Sequence, residues 1–303
     1  MSRLPEWVKS QFRVCSSKFD DKDFSGLKPR NYKLHATKSL LRNHKLSTVC
    51  EEARCPNKIF CFSKPAAAFM ILGDICTRNC AFCSVKSGMP SEVDIDEPAK
   101  IADAALKMGL KYVVITSVTR DDLPDGGASM FAATVKAVKN KLPGAKAEIL
   151  TPDFRGDIDA LRVVVESAPD VFNHNIETVK RLYEKIRPQA DYRRSLNVLY
   201  NAGKIKPGMR TKSGLMLGFG ETMDEVVELF KDLRSAGCNY LTIGQYLRPT
   251  KKNLPVVEYI KPDVFEDLKE MAVELGFEYV AAGPLVRSSM NAEEMCTGGD
   301  KSV

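Results

Sequence analysis

Short apolar runs that alternate with amphipathic segments constrain the fold of this chain more than any other feature. The runs are rich in β-branched residues and have the length of buried strands. The segments between them carry residues that start or stop helices. One predicted helix begins at Pro98 and stops at Gly109, and another ends at Gly237. Such alternation predicts parallel strands joined by right-handed helical crossovers. It leaves open a doubly wound sheet, a full barrel or a partial barrel. The six predicted strands are residues 66–73, 111–118, 145–151, 171–176, 211–218 and 239–247.

The alternation is confined to one block, although 303 residues are enough for two average domains. We therefore expect a βα core at residues 66–260, preceded by an N-terminal extension at 1–65 that carries three cysteines. A C-terminal extension at 261–303 begins with a predicted helix, 262–275, and a strand-like run, 277–286.

The composition, 44% hydrophobic and 28% charged, is that of a globular protein and excludes disordered and fibrous classes. No apolar run is long enough to cross a membrane, and the first residues lack the pattern of a secretory signal, so we expect a cytoplasmic protein with no membrane partner. The net charge of +6 is concentrated in residues 28–45, which hold six Lys or Arg and no acid. That stretch is either a solvated surface or a face for an acidic partner. No motif indicates nucleic acid.

Six of the nine cysteines form two triads. Cys76, Cys80 and Cys83 follow the first strand with C-x3-C-x2-C spacing, at the strand end where βα proteins collect reactive groups. Three thiolates on one loop can hold an iron–sulfur cube with one iron open to a small molecule. The alternative is a zinc site with a distant fourth ligand, and the chain has only three histidines.

The first triad, Cys50, Cys55 and Cys61, lies upstream with C-x4-C-x5-C spacing and fits a second cube. In a chain of this size without a secretory signal, disulfides explain these cysteines poorly. Cys15, Cys238 and Cys296 have no partner spacing. We expect Cys238 to be a small buried hydrophobe.

The motifs of the chain, taken in order, resemble those of the lipoyl synthase family within the radical S-adenosylmethionine superfamily. The resemblance covers nearly the whole length and implies a partial (βα)6 TIM-type barrel with N-terminal and C-terminal extensions. The motifs are CEEARCPN, GDICTRNCAFC, RDDLPDGG, HNIET, YRRSL, KSGLMLGFGET, QYLRP and GPLVRSS.

This resemblance implies two [4Fe–4S] clusters. One is held by Cys76, Cys80 and Cys83, and its open iron chelates S-adenosylmethionine, whose reductive cleavage releases a 5′-deoxyadenosyl radical. The auxiliary cluster is held by Cys50, Cys55, Cys61 and the second serine of the Arg-Ser-Ser motif, Ser289. The catalytic residues implied are Cys76, Cys80, Cys83 and Ser289. The implied contacts to S-adenosylmethionine are Phe82, Asn175, Glu177, Gly214, Gly218 and Glu221.

The implied reaction inserts sulfur at C6 and C8 of an octanoyl-lysine, with both atoms taken from the auxiliary cluster, which is sacrificed. A radical is needed because no side-chain base can deprotonate an unactivated methylene. The implied partners are octanoylated lipoyl-carrier domains, which are 2-oxoacid dehydrogenase E2 subunits and the glycine cleavage H protein. An electron donor such as flavodoxin or ferredoxin and an iron–sulfur cluster carrier are implied as well.

Several details stay open at this point. The strand end from Gly214 to Glu221 is either an adenine-binding element or a tightly packed structural turn. We expect His174 to be structural and the RDDLPDGG turn to face the cofactor. The chain departs from the family pattern at Met290, where a tyrosine is usual, and at Phe60 and Phe62, which flank Cys61. The alternative functions are another sulfur-inserting radical enzyme and a non-catalytic iron–sulfur carrier.

Overall fold

The computed structural model describes residues 5–10, 29–63, 66–290 and 292–293. Cys15, Cys296 and the start of the basic stretch at Lys28 lie outside the described residues. The strands are β1 (Ser47–Thr48), β2 (Ala68–Ile71), β3 (Ile75–Cys76), β4 (Lys86–Ser87), β5 (Tyr112–Ser117), β6 (Lys146–Leu150), β7 (Val171–Asn173), β8 (Arg210–Leu217), β9 (Tyr240–Gln245) and β10 (Tyr279–Gly283). α-Helices span Pro29–Asn43, Val49–Glu52, Lys58–Ser63, Glu97–Lys107, Ala128–Lys141, Ile158–Glu166, Tyr183–Ile186, Tyr192–Ile205, Met223–Ser235 and Pro262–Glu274.

The main sheet has the order β1-β2-β5-β6-β7-β8-β9-β10, and every pairing is parallel except that of β1 with β2. The parallel strands follow one another without a reversal of order, so right-handed crossovers place all their helices on one face. A sheet wound in one direction curls towards a barrel, unlike a doubly wound sheet. β1 and β10 form the two ends, and no ladder among the described residues joins them. The predicted partial barrel is confirmed.

All six predicted core strands are present, and β10 extends the parallel sheet by one more strand. The predicted helices also form, because the residues that start and stop them act within their own turns. The helix Glu97–Lys107 has Pro98 in its first turn, and Gly109 follows it with a φ of 65°. The helix Met223–Ser235 begins with a capping box between Thr222 and Glu225.

The core lies between the sheet and the surrounding helices. Phe69, Ile71, Ile115 and Ile149 are fully buried on the strands, as expected for a parallel sheet covered on its outer face. No helix among the described residues is long and apolar enough to cross a membrane.

The inside of the barrel also holds an ion pair that the sequence analysis did not identify. Lys212 Nζ lies 2.9 Å from Glu148 Oε1, and both side chains are fully buried. The carboxylate also accepts hydrogen bonds from the Tyr112 hydroxyl (2.7 Å) and the Asn173 amide (3.0 Å). These contacts offset the desolvation of a carboxylate inside a protein.

The two ends of the described chain meet on the barrel. The helix Pro29–Asn43 contacts the helix Lys58–Ser63, where Thr37 Oγ1 donates to Phe62 O (3.0 Å). The buried Asn57 side chain donates to Leu285 O (2.6 Å), so the first cysteine motif is tied to the segment that follows β10.

Candidate active site

A cavity of about 330 Å³ lies at the carboxyl ends of the parallel strands. Both cysteine triads reach it, although they are distant in sequence: Cys76, Cys80 and Cys83 line one part, and Cys50 and Cys55 line another. Ser289 lies in the same wall. Cys61 is not among the lining residues; it lies in the helix Lys58–Ser63, is partly buried and donates its backbone N–H to Asn57 O (2.9 Å).

The loop that carries the second triad is held by backbone pairing. Cys76 lies in β3, which pairs with Ser87 of β4, so the loop leaves and rejoins a small two-stranded sheet. The Cys76 sulfur accepts hydrogen bonds from the backbone N–H groups of Arg78 (3.4 Å) and Thr119 (3.3 Å). Such donors stabilise negative charge on a ligand sulfur.

Arg78, which lies between the first two cysteines of this triad, clamps the loop to two strand ends. Its guanidinium donates to both oxygens of Asp121 (2.7 and 2.9 Å) and to Asp153 Oδ1 (2.7 Å). Arg78 is only 5% exposed and Asp153 is fully buried, so these bonds act in a poorly solvated place. The guanidinium holds the pKa of Asp153 well below its usual range, despite the opposing effect of burial.

No residue of the RDDLPDGG turn lines the cavity, and its expected position facing the cofactor stays a prediction. Asp121 binds Arg78, and Asp122 binds Arg120 (2.8 Å). Asp125 accepts from the backbone N–H groups of Gly127 and Ser129 at the start of the next helix. None of the three carboxylates lines the cavity.

Two further contacts attach the triad to its surroundings. Asn253, which follows β9, donates to Cys83 O (2.7 Å). Ser84 donates to Glu52 O (2.7 Å), which lies in the first cysteine motif. The second contact links the two cysteine motifs directly.

In donor type the thiols agree with the iron–sulfur clusters that the family resemblance implies, although no three His, Cys, Asp or Glu side chains among the described residues are arranged to hold a metal ion. Burial raises the pKa of Cys83 to about 12 and that of Cys50 to about 11, and burial also raises the pKa of Cys80. These groups are neutral thiols that lack a sufficient positive partner, and a cationic metal centre would supply one. The set of soft donors, with a single hydroxyl at Ser289, agrees with iron.

Polar side chains from β7 and β8 form the opposite wall. Asn175 Nδ2 donates to Glu177 Oε1 (3.0 Å), and the buried Arg187 donates to Asn175 O (3.0 Å). Burial raises the pKa of Glu177, while Arg187 opposes that rise. A Cβ at Gly214 would lie 2.6 Å from Thr242 Oγ1 and 2.9 Å from Asn175 Oδ1, so only glycine fits there. These four residues line the cavity, as does the predicted contact residue Phe82.

Gly218 and Glu221 do not line this cavity. The Glu221 carboxylate accepts hydrogen bonds from the backbone N–H groups of Gly218 and Phe219, which closes a turn after β8. Gly218 has a φ of 110°, a conformation that favours glycine. Their contact with S-adenosylmethionine stays a prediction.

His174 is only partly explained by a structural role. Its Nδ1 donates to Thr151 O (2.9 Å), whereas Nε2 has no partner among the described residues. The ring is 1% exposed and lines the cavity. Burial lowers its pKa to about 4, an effect that Arg187 reinforces. His174 is therefore a neutral imidazole whose Nε2 is buried and has no partner among the described residues.

The Arg-Ser-Ser motif reaches the cavity because its chain segment is anchored from the first cysteine motif. Asn57 donates to Leu285 O (2.6 Å) and to Met290 Sδ (3.2 Å). Met290, which replaces the usual tyrosine, thus serves as a weak acceptor for a buried amide. The Ser289 hydroxyl makes no hydrogen bond with a described residue and lies in the cavity wall.

Sequence reasoning missed Asn57, Arg78 and Arg187. Asn57 and Arg78 stand within the cysteine motifs, so their position was a usable signal. Arg187 has no such signal, because it enters the site from an irregular segment after the helix Tyr183–Ile186.

Comparisons with known proteins agree with this geometry. Residues 70–233 match the Radical SAM superfamily model. The lipoyl synthase of Caldicellulosiruptor saccharolyticus is 55% identical over 293 residues, which cover 97% of each chain. The lipoyl synthase of Rubrobacter xylanophilus is 55% identical over 257 residues, or 85% of this chain and 80% of that one.

Solved structures with low sequence identity share the fold. Methylornithine synthase superposes with a TM-score of 0.52 at 12% identity, covering 94% of this chain and 86% of that one. Streptococcus suis SuiB bound to S-adenosylmethionine gives a TM-score of 0.54 at 11% identity, covering 92% and 61%. With the full-length relatives, the paired triads and the partial barrel in place, the chain belongs to the lipoyl synthase family of the radical S-adenosylmethionine superfamily.

Proposed function

We propose a residue-by-residue assignment of the active site of this lipoyl synthase. Cys76, Cys80 and Cys83 hold the cluster that binds S-adenosylmethionine, and the first triad with Ser289 holds the auxiliary cluster. The observation that carries the assignment is the shared cavity, because residues of both triads and Ser289 line one space. The enzyme uses two [4Fe–4S] clusters and S-adenosylmethionine.

When bound, these groups supply a radical that removes hydrogen from saturated carbon and the sulfur that replaces it. The chain's own task is positioning and exclusion of water. The largely apolar cavity can take an extended hydrocarbon chain between the two triads, which agrees with an octanoyl substrate. No charged base is needed at the reacting carbon.

We propose that Asn175, Glu177, Gly214 and Phe82 contact S-adenosylmethionine. The amide and carboxylate offer hydrogen-bond partners to hydroxyl and amino groups. The missing side chain at Gly214 permits close approach of a flat ring. Gly218 and Glu221 support this wall by shaping the end of β8, and a direct contact from them belongs to the same proposal.

Ser289 is the fourth ligand of the auxiliary cluster in this proposal. Its support is the position of the hydroxyl in the cavity wall and its lack of a hydrogen bond with a described residue. An oxygen ligand on a soft iron–sulfur centre is weaker than a thiolate, which suits a cluster that gives up sulfur.

In this proposal the two extensions and the barrel core have separate roles, and the chain has several partners. Residues 1–65 and 261–303 supply the auxiliary cluster, and residues 66–260 form the radical-generating barrel. The substrates are octanoylated carrier domains of E2 subunits and of the glycine cleavage H protein. Flavodoxin or ferredoxin donates electrons, and a cluster carrier rebuilds the auxiliary centre. A cytoplasmic location would keep the thiols reduced.

The test is an anaerobic incubation of the reconstituted protein with S-adenosylmethionine, a strong reductant and an octanoyl-lysyl peptide. We expect the peptide to gain two sulfur atoms as the dithiol, as weighed by mass spectrometry, and to lose two hydrogen atoms when that dithiol is oxidised to the cyclic disulfide. Release of 5′-deoxyadenosine with an unchanged peptide would contradict the substrate assignment. Absence of 5′-deoxyadenosine from protein with full iron would contradict the assignment of the second triad.

A further inference from the structure

The segment that carries Ser289, residues 284–290, is fitted closely onto the ends of the strands. A Cβ at Gly244 of β9 would lie 2.3 Å from Val286 O, so the segment occupies the space that a side chain would fill. Gln245 N donates to Pro284 O (3.3 Å). Asn57 holds the segment from the other side through Leu285 O. Its position is therefore set by several elements at once.

Ser288, the first serine of the motif, joins this segment to β7. Its hydroxyl lies 2.9 Å from Asn173 Nδ2 and 2.8 Å from Asn175 Oδ1. A hydroxyl has one proton, so the directions of these two bonds depend on each other. Which way the proton points is decided further inside the barrel.

The buried Glu148 carboxylate decides that direction. Glu148 is held by Lys212, and as a carboxylate it can only accept hydrogen bonds. Asn173 must therefore present its NH2 group to Glu148 Oε1, and the same NH2 group faces Ser288. The Asn173 oxygen is left without a partner among the described residues, which is the cost of this orientation.

The donor and acceptor roles of Ser288 and Asn175 follow from this orientation of Asn173. Ser288 accepts from Asn173 and so donates to Asn175 Oδ1, which turns the Asn175 NH2 group towards Glu177 Oε1 (3.0 Å). The result is one polar chain from the barrel interior to the cavity, in which Lys212 and Asn173 both donate to Glu148 and every bond from Asn173 onwards donates towards the cavity. Its members in order are Lys212, Glu148, Asn173, Ser288, Asn175 and Glu177.

We propose that Ser288 is a positioning residue that couples the auxiliary-cluster segment to the S-adenosylmethionine wall. The inference rests on the proposed function, because it takes Ser289 as a cluster ligand and Asn175 and Glu177 as contacts to S-adenosylmethionine. One hydroxyl holds Ser289 in the cavity wall and orients both polar contacts. Displacement of the segment therefore weakens binding of S-adenosylmethionine, and ordering of Asn175 by the bound molecule strengthens the hold on the segment, since coupling is reciprocal.

The test compares Ser288→Ala with Ser288→Thr, using the exposed Ser235→Ala as a surface control. Removal of the hydroxyl leaves the buried Asn173 amide and the partly buried Asn175 amide each short of one partner. We expect Ser288→Ala to bind S-adenosylmethionine about 5- to 10-fold more weakly by equilibrium dialysis with the reconstituted protein. Ser288→Thr retains the hydroxyl and is expected to stay within about twofold of the unchanged protein, as is Ser235→Ala.

Backbone hydrogen exchange supplies a readout that does not depend on activity. We expect Ser288→Ala to exchange faster at residues 173–178 and 284–290 together, in the protein both with and without clusters. Ser289→Ala should lower the iron bound per chain while residues 173–178 exchange as in the unchanged protein. If Ser288 acted only on its own segment, Ser288→Ala would exchange faster at residues 284–290 alone.

Unchanged affinity together with unchanged exchange at residues 173–178 in Ser288→Ala would overturn the coupling. Failure of the proposed function looks different: the unchanged protein would bind and cleave S-adenosylmethionine, while the octanoyl peptide gained no sulfur. If Ser288→Ala does not fold, Gly244→Ala tests the same coupling, because its Cβ displaces the segment at Val286. We then expect the folded Gly244→Ala variant to bind S-adenosylmethionine more weakly. Wild-type affinity in that variant, despite faster exchange at 284–290, would also refute it.

Discussion

A single side chain, Asn57, links the first cysteine motif to the segment that carries the Arg-Ser-Ser motif. Asn57 lies two residues after Cys55, and its buried amide donates to Leu285 O and Met290 Sδ. A backbone carbonyl and a thioether both act only as acceptors, so the NH2 group of asparagine suits this position. The side chain thereby sets the approach of the Arg-Ser-Ser motif to the first triad.

Replacement of this amide tests that role. We expect Asn57→Ala to lower the free energy of unfolding of the cluster-free protein by about 1–3 kcal/mol, because Leu285 O loses a buried partner. The iron bound per chain after reconstitution should fall with it. Asn140→Ala, on the exposed face of the helix Ala128–Lys141, is the matched control. Full iron and unchanged urea denaturation in Asn57→Ala would contradict the proposed role.

His174 predicts a pH dependence of stability. Burial lowers its pKa from 6.5 to about 4; Arg187 and Arg78 act in the same direction, and Asp153 opposes them. The unfolded chain therefore binds more protons between these values, so the contribution is complete above pH 6.5 and is lost as the pH falls towards 4. Between pH 7.5 and 5 we expect a loss of about 2 kcal/mol.

The measurement is urea denaturation of the cluster-free protein at both pH values. His174→Gln cannot titrate and should show a change smaller by about 2 kcal/mol. The exposed His35→Gln should behave like the unchanged protein. An equal pH dependence in His174→Gln would show that the imidazole is not held neutral.

At the scale of secondary-structure elements, the second triad depends on a clamp between a loop and two strand ends. Arg78 in the cysteine loop binds Asp121 after β5 and Asp153 after β6. Asp153 also lies 3.3 Å from Arg194, at the start of the helix Tyr192–Ile205. The loop is thus positioned by elements that surround the cavity rather than by its own conformation.

Removal of the guanidinium leaves the buried Asp153 with Arg194 (3.3 Å) as its remaining cationic partner. We expect Arg78→Gln to lower the free energy of unfolding by about 3–5 kcal/mol. Arg78→Lys keeps the charge but cannot bind Asp121 through two parallel bonds, so its loss should be smaller. The exposed Arg162→Gln serves as control. The measurement is urea denaturation of the three cluster-free variants. An equal free energy of unfolding in Arg78→Gln and Arg162→Gln would contradict the proposed clamp.

At the scale of the whole molecule, a partial barrel brings two distant cysteine motifs to one cavity. The core strands supply one end of the space, and the two extensions meet across Asn57 and Leu285 to supply the other.

This arrangement predicts that release of 5′-deoxyadenosine and insertion of sulfur can be lost separately. Cys80→Ala should abolish release of 5′-deoxyadenosine, whereas Cys55→Ala should retain that release and lose sulfur insertion. Each variant should lose about half of the bound iron, because the proposed assignment gives each triad its own cluster. Cys238→Ala, a buried thiol away from the cavity, should keep full iron and both activities. Loss of both activities in Cys55→Ala with full iron would contradict two independent sites.

The sequence alone determined the strands, most helix ends and the chemistry of the cysteines, because each depends on residues close together in the chain. Alternation of apolar runs predicts β2 and β5–β9 without knowledge of their neighbours. Pro98, Gly109 and Gly237 act on their own turns. Three thiols on one short loop indicate a cluster wherever the loop lies.

Only the tertiary structure decided what surrounds those ligands. Asn57 and Leu285 are separated by 228 residues, Ser288 and Asn175 by 113, and Arg78 and Asp153 by 75. No local spacing relates such pairs. The curvature of the sheet brings the strand ends together, and the direction of the polar chain through Ser288 depends on a carboxylate buried inside the barrel. The presence of Ser289 in the same cavity as the second triad is therefore a property of the folded barrel.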